Sequence, residues 1–221
     1  MKTSIAFWNI LRKDMKNYYL KPPNISWGII FPFAWMLMMF VKSGNTLEIN
    51  TIFPGIVAMS ILFGTTSMLS VTITFERKSR SFERLLIAPF KIELLVLAKI
   101  TGAILFGIFN SIVPILFSVL YFKAIVTNWP VLVAGVVLLS IISTLLGLFI
   151  SVSAKEVFEA QTYSYFFRFP MIFLFGLFIP VAALPAIIQP LSYILPVTYG
   201  VDVLHNSISG NGLLPVWINL I

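Results

Sequence analysis

The sequence predicts an all-α polytopic membrane protein, and three observations lead there. Hydrophobic residues make up 59% of the 221, where a soluble domain has about 45–50%. The apolar residues gather into runs of a length that crosses a bilayer, about 20 residues each. Lys and Arg outnumber Asp and Glu by 15 to 8, yet they lie in short segments between those runs and not on one soluble face. That distribution reads as topology and excludes a nucleic-acid partner. Cys is absent, so disulfides and thiolate metal sites are excluded.

Residues 1–21 come first. At 100° per residue Phe7, Trp8, Leu11, Met15, Tyr18 and Tyr19 fall on one helix face, and Lys2, Asn9, Arg12, Lys13 and Lys16 on the other. This predicts an interfacial amphipathic helix lying on membrane lipid, with a soluble partner's binding helix as the alternative. The charges of Arg12, Lys13, Asp14 and Lys16 break any signal-peptide core.

Ile25–Val41 is a short first span containing Pro32, whose missing donor a neighbouring helix must accommodate. Ile52–Phe75 is the second. In it Ser60, Thr66, Ser67, Ser70 and Thr74 share about a third of the circumference, a stripe that serves either helix packing or a substrate path. Leu94–Phe122 is the third span and Val131–Val152 the fourth. Ala103, Gly107 and Ser111 in one, and Ser143, Gly147 and Ser151 in the other, recur every fourth residue and predict close helix packing. Tyr163–Ile179 is a phenylalanine-rich fifth span. Its Arg168 is expected to snorkel to the inner surface, the alternative being contact with a lipid headgroup or a substrate anion.

Residues 180–197 hold Pro180, Pro185, Pro190 and Pro196 in an apolar run too broken to span, which predicts a re-entrant outer hairpin buried against protein. From Leu213 the sequence reads as the start of a sixth helix that the chain end cuts off, giving five full transmembrane helices in one transmembrane unit over 1–221.

Between the second and third spans, residues 76–93 form the most charged segment. Ser81 is placed to cap a short helix, Glu83 suits its first turn, and Pro89 closes it. Phe82, Leu85, Leu86 and Ile87 beside Glu83 and Arg84 make an apolar face for lipid headgroups or for a soluble partner.

Glu76-Arg77, then Glu83-Arg84-Leu85-Leu86-Ile87-Ala88-Pro89, then Lys99 resemble the cytoplasmic loop of type-2 ABC transporter permeases. A second resemblance covers Phe175-Gly176, Pro180, Leu184-Pro185 and Pro196-Val197-Thr198-Tyr199 through Asp202, so that the likeness spans roughly residues 50–210. The family usually has Gly-Thr where this chain has Arg80-Ser81, often Ser at Phe175 and Arg at His205.

The resemblance implies a membrane subunit that pairs with a second permease subunit, as a homodimer or with a paralogue. It also implies docking on an ABC ATPase through Glu76, Arg77, Ser81, Phe82, Glu83, Arg84, Leu85, Leu86 and Pro89. ATP-Mg would sit on that partner, since no G-x-x-x-x-G-K-[ST] loop is present here. The implied substrate path includes Ser67, Ser70, Thr74, Arg168, Phe173 and Phe178, capped by the outer hairpin of Pro180, Pro185, Pro196 and Tyr199. His205, the lone histidine, has Asp202 three residues before it, at most two ligands on one turn, which argues against a metal site. An ATP-independent carrier or channel is the alternative, disfavoured because the acids lie at span ends. Lys and Arg concentrate in segments that one orientation places on the cytoplasmic side of the cell membrane, with the N-terminus cytoplasmic.

Overall fold

A helix of 30 residues, α3 (Ile49–Lys78), occupies the middle of the molecule. In this computed structural model, which describes all residues except 1, 20, 22–24, 43–48, 88–90, 177–180 and 210–221, nearly every α3 side chain from Phe53 to Thr74 is buried. The neighbours that enclose it are α5 (Ile92–Leu120), α6 (Trp129–Ser153), α7 (Val157–Leu174) and α9 (Pro196–Ser209), with α2 (Phe31–Lys42) and its preceding turn on the remaining side. No strand occurs among the described residues.

α3, α5 and α6 are long and apolar enough to cross a membrane. α5 and α6 carry outward stripes, Leu105, Phe109, Ile112 and Leu116 on one and Val133, Ile141, Leu145 and Phe149 on the other, that suit lipid. The first expected span is a shorter apolar helix over Gly28–Met39. The fifth expected span begins earlier than the sequence predicted: α7 starts at Val157 and turns at Phe175 and Gly176, the latter with φ of 92°.

The small-residue faces behave as expected. Ser143, Gly147 and Ser151 are buried, and a Cβ added to Gly147 would lie 2.8 Å from the Thr66 carbonyl oxygen, so only glycine lets α6 approach α3 this closely.

Pro32 and Pro114 leave carbonyls without their helical donors, those of Gly28 and Asn110 four residues earlier. The turn before α2 widens into a π-helix over Ser26–Ile30. The hydroxyl of Ser60, in the middle of the bundle, reaches both carbonyls, that of Gly28 in a short bond and that of Asn110 at 3.0 Å. The accommodation of Pro32 by a neighbouring helix is thus performed by one serine.

After α7 a 3-10 turn (Val181–Ala183) and the short α8 (Gln189–Ile194) lead to α9. α9 is buried along Val197, Val201 and Leu204, whereas Ile187, Leu191 and Ile194 stay exposed. The expected outer hairpin is therefore buried in part: Val181, Leu184, Ser192 and Val197 turn inward, and α8 touches α7 and α9 but keeps Leu191 and Ile194 exposed. Pro185 and Pro196 are exposed, the Tyr199 hydroxyl donates to the Tyr193 carbonyl at 2.6 Å, and Pro180 lies outside the described residues. The expected sixth helix from Leu213 also lies outside them.

Candidate functional site: a charged junction at one end of the bundle

The N-terminal helix α1 (Lys2–Asp14) forms one wall of the junction. It ends in a π-helical turn, Met15–Tyr19, and packs on α5. Phe7 and Ile10 join Leu95 and Ala98, while Met15 and Tyr18 rest on Met68 and Phe106. Trp8, expected on the apolar face, points outward and is 60% exposed. The inward stripe is Ile10, Leu11, Asp14 and Met15, with the acid inside it.

That acid meets α3 and α5. Lys99 Nζ lies 2.9 Å from Asp14 Oδ2 and 2.7 Å from Glu76 Oε2. Lys13 Nζ lies 2.6 Å from Glu76 Oε1 and 3.2 Å from Asp14 Oδ1. Asp14, Glu76 and Lys99 are buried, and Lys13 forms the rim. Charge inside the cluster cancels. Removing charge from water costs several kcal/mol per ion, and mutual pairing offsets it. Burial pulls the Lys13 ammonium down, but the hydrogen bond to Glu76 and the charge of Asp14 outweigh it and hold the group above its usual pKa. Burial and the Glu76 carboxylate push the neighbouring Tyr18 phenol up.

Glu76 and Arg77 were expected in the loop, but α3 continues through Lys78, so both are helical. Arg77 Nη1 donates to the Ser151 carbonyl at 3.0 Å and ties α3 to α6. The next helix, α4, spans Ser81–Leu86. Ser81 is not its cap: the cap position is Arg80, whose φ of 55° is left-handed, and the Ser81 hydroxyl pairs instead with that of Ser79 at 2.8 Å. Arg80 thus holds a conformation that glycine adopts at little cost.

The apolar face of α4 is covered from within. Phe82 and Leu85 pack with Phe7, Ile10, Leu95 and Ala98, which leaves Glu83, Arg84 and Ile87 facing outward, Ile87 at 85% exposure. Of Leu86 the structure describes the backbone, and Pro89 lies outside the described residues. A polar cleft of about 380 Å³ opens beside this surface, lined by Arg77, Lys78, Phe82, Glu83, Lys155 and Glu156.

The expected path residues divide. Ser70 and Thr74 are fully buried. Ser70 pairs with the Ser164 hydroxyl at 2.9 Å and with the Ser67 carbonyl, and Thr74 donates to the Ser70 carbonyl at 2.7 Å. As placed Ser70 ties α3 to α7, Thr74 bonds back within α3, and neither offers an open surface to a solute. Ser67 is half-buried, Phe173 is 60% exposed, and Phe178 lies outside the described residues.

Arg168 does not snorkel. Its side chain is fully buried and turned onto the middle of α3, where Nη1 donates to the Phe63 carbonyl at 3.0 Å and Nε to the Ser164 carbonyl at 2.9 Å. With α7 starting at Val157, Arg168 stands about 16 Å along the helix, beyond the reach of a side chain to that end.

A family model for the ABC-2 type transporter matches residues 5–208. The chain belongs to the ABC-2 type transporter family. As an ABC-2 permease it is a membrane transport subunit, and it is similar to the inner membrane transport permease YadH of Escherichia coli K12, 24% identical over 182 residues that cover 77% of this chain and 71% of the relative. The same figures hold for YadH of Escherichia coli O157:H7 and of Shigella flexneri. No solved structure matches the chain. No group of three or more His, Cys, Asp or Glu arranged for a metal occurs among the described residues of this permease.

Sequence reasoning found Glu76 and Lys99 but missed Asp14, which entered only as one of the charges that break a signal-peptide core. Its spacing from Ile10 and Leu11 was the available signal.

Proposed function

We propose that this permease is the membrane-spanning subunit of an ATP-binding cassette exporter, driven by ATP-Mg hydrolysed on a separate ABC ATPase subunit. The observation that carries the reading is the anchoring of α4: Phe82 and Leu85 clamp it to α1 and α5, next to the ion-paired end of the central helix α3, while Glu83, Arg84 and Ile87 project outward. A short helix so anchored passes displacement to α3 without first bending. The coupled motion is two-state, with α4 pushed by ATPase closure and α3 and α7 shifting against each other.

A second permease subunit, identical or paralogous, completes the path. The substrate is amphipathic, drug-like or lipid-linked: among the described residues the outer faces of the spans offer phenylalanines and isolated hydroxyls, and no dense polar cage for a hydrated ion. The cell membrane is the location, in keeping with the relatives' name, and the N-terminus with its α1 and α4 neighbours faces the cytoplasm by the distribution of Lys and Arg.

Ile87→Asp and Glu83→Lys alter the outward surface while sparing Phe82 and Leu85. Both are expected to insert normally, to lose co-purification with the partner ATPase, and to abolish permease-dependent ATP turnover. Unaltered association and turnover in both would remove the docking role. An impermeant thiol reagent on intact cells is expected to label Ala186→Cys and not Ser79→Cys; the reverse pattern would invert the orientation and defeat the reading.

A further inference from the structure

Arg168 is a buried cation whose charge no acid balances. Among the described residues no carboxylate lies within ion-pair distance of it, in contrast to the lysines at the bundle end. Its guanidinium has five N–H donors. Nε and Nη1 are used on the Ser164 and Phe63 carbonyls, and Nη2 is buried without a partner. The group lies against two rings, 4.5 Å from the centroid of Phe63 and 5.0 Å from that of Tyr165. Phe169 contacts both rings and is 44% exposed, so it forms the outer cover of the pair.

Phe63 sits halfway along α3, so this charge is held near the middle of the apolar thickness, where an Arg costs about 2.5–3.5 kcal/mol to insert. Ring faces and backbone carbonyls soften that cost but do not cancel the charge. A negative group does both, and it also finds free donors. Guanidinium donors match phosphate and carboxylate oxygens. Arg168 is itself fully enclosed, so an anion reaches it by displacing the Phe169 cover, and one carried on an apolar chain can do so with its chain along the exposed Phe166, Phe169 and Phe173 of α7.

We propose that Arg168 is the headgroup site for an anionic amphiphile, a phosphate or carboxylate on an apolar chain, which enters beside Phe169 and takes the free Nη2 donors. The site deepens the transport reading above and rests on it for its purpose, since it names the substrate's charge.

The full chain in phosphatidylcholine nanodiscs is titrated with dodecyl phosphate and with dodecyl maltoside, which share a tail and differ in headgroup charge. The wild type is expected to prefer the phosphate by about tenfold or more. Arg168→Gln is expected to bring the two ligands to near parity, and Arg168→Lys to retain part of the preference. Should the Gln variant fail to fold, a photoactivatable dodecyl phosphate on the wild type decides: labelling centred on Tyr165–Phe169 supports the site, and labelling elsewhere overturns it. Equal binding of the two ligands by the wild type, or a preference that survives in a folded Arg168→Gln, overturns it as well. Adding phosphatidylglycerol separates the sources. Competition assigns the site to a bilayer lipid, its absence to a single-chain solute, and either supports the anion chemistry. Because binding is read without the ATPase, charge-selective binding with no ATPase docking would sink the transport reading alone, and docking without charge selectivity would sink this site alone.

Discussion

The bundle end and the bundle middle both bury cationic side chains, and they handle the charge in opposite ways. At the end, Lys99 is enclosed by Asp14 and Glu76, with Lys13 completing a neutral cluster across α1, α3 and α5. In the middle, Arg168 has carbonyls and aromatic rings but, among the described residues, no acid. A closed cluster is a joint: it fixes three elements in one arrangement and fails if one member is lost. An open cation is a poor joint and a good receptor, since nothing in the fold depends on its full charge being satisfied.

The largest test of that contrast is Lys99→Ala. It leaves two buried carboxylates beside a half-exposed Lys13, and breaking a buried ion pair in this way costs about 3–5 kcal/mol. Thermal unfolding in nanodiscs should show the loss, and adding Glu76→Gln should restore part of it, because the remaining Asp14 can pair with Lys13. Additive losses in the double variant would mean the four groups are not one unit.

A smaller effect is expected for Arg168→Met. Charge-assisted hydrogen bonds worth about 1.5–3 kcal/mol each disappear, but so does an insertion cost of about 2.5–3.5 kcal/mol, and methionine keeps much of the packing. Two such bonds set against one insertion cost leave a net loss of about 0–3.5 kcal/mol, expected to fall below that of Lys99→Ala. A loss as large as that of Lys99→Ala would make Arg168 a joint after all.

Smallest is Lys78→Ala. Its partner Glu156 is 3.7 Å away and both side chains are 62% exposed, so stability should stay within about 0.5 kcal/mol. A larger change would show that exposed pairs at this end carry weight that their solvation argues against.

Hydropathy made α3, α5 and α6 legible, and the small-residue repeats correctly marked the faces that meet. The same signal misplaced Arg168, because Gln161 and Thr162 lowered the apolar density and set the expected span at Tyr163, while backbone hydrogen bonding carries α7 back to Val157. That difference of two turns separates a side chain that reaches water from one that cannot. Polar content likewise drew the hydroxyls of α3 toward a path, although burial on all sides makes Ser70 and Thr74 the natural internal partners of backbone and neighbour. At the junction, Phe82 and Leu85 announced a covered face, but nothing local in the sequence could say that α1 covers it, since that contact joins residues far apart in the chain.

Ser60 carries a consequence for how the molecule flexes. Pro32 and Pro114 are weak points in α2 and α5, and the carbonyls they strand look to the same hydroxyl, which has one proton to give. At any instant one carbonyl receives that proton fully and the other is left wanting. Bending at one proline, by drawing its carbonyl away, releases the proton to the other helix and firms it. The two helices are therefore set against each other like the pans of a balance, with Ser60 as the beam.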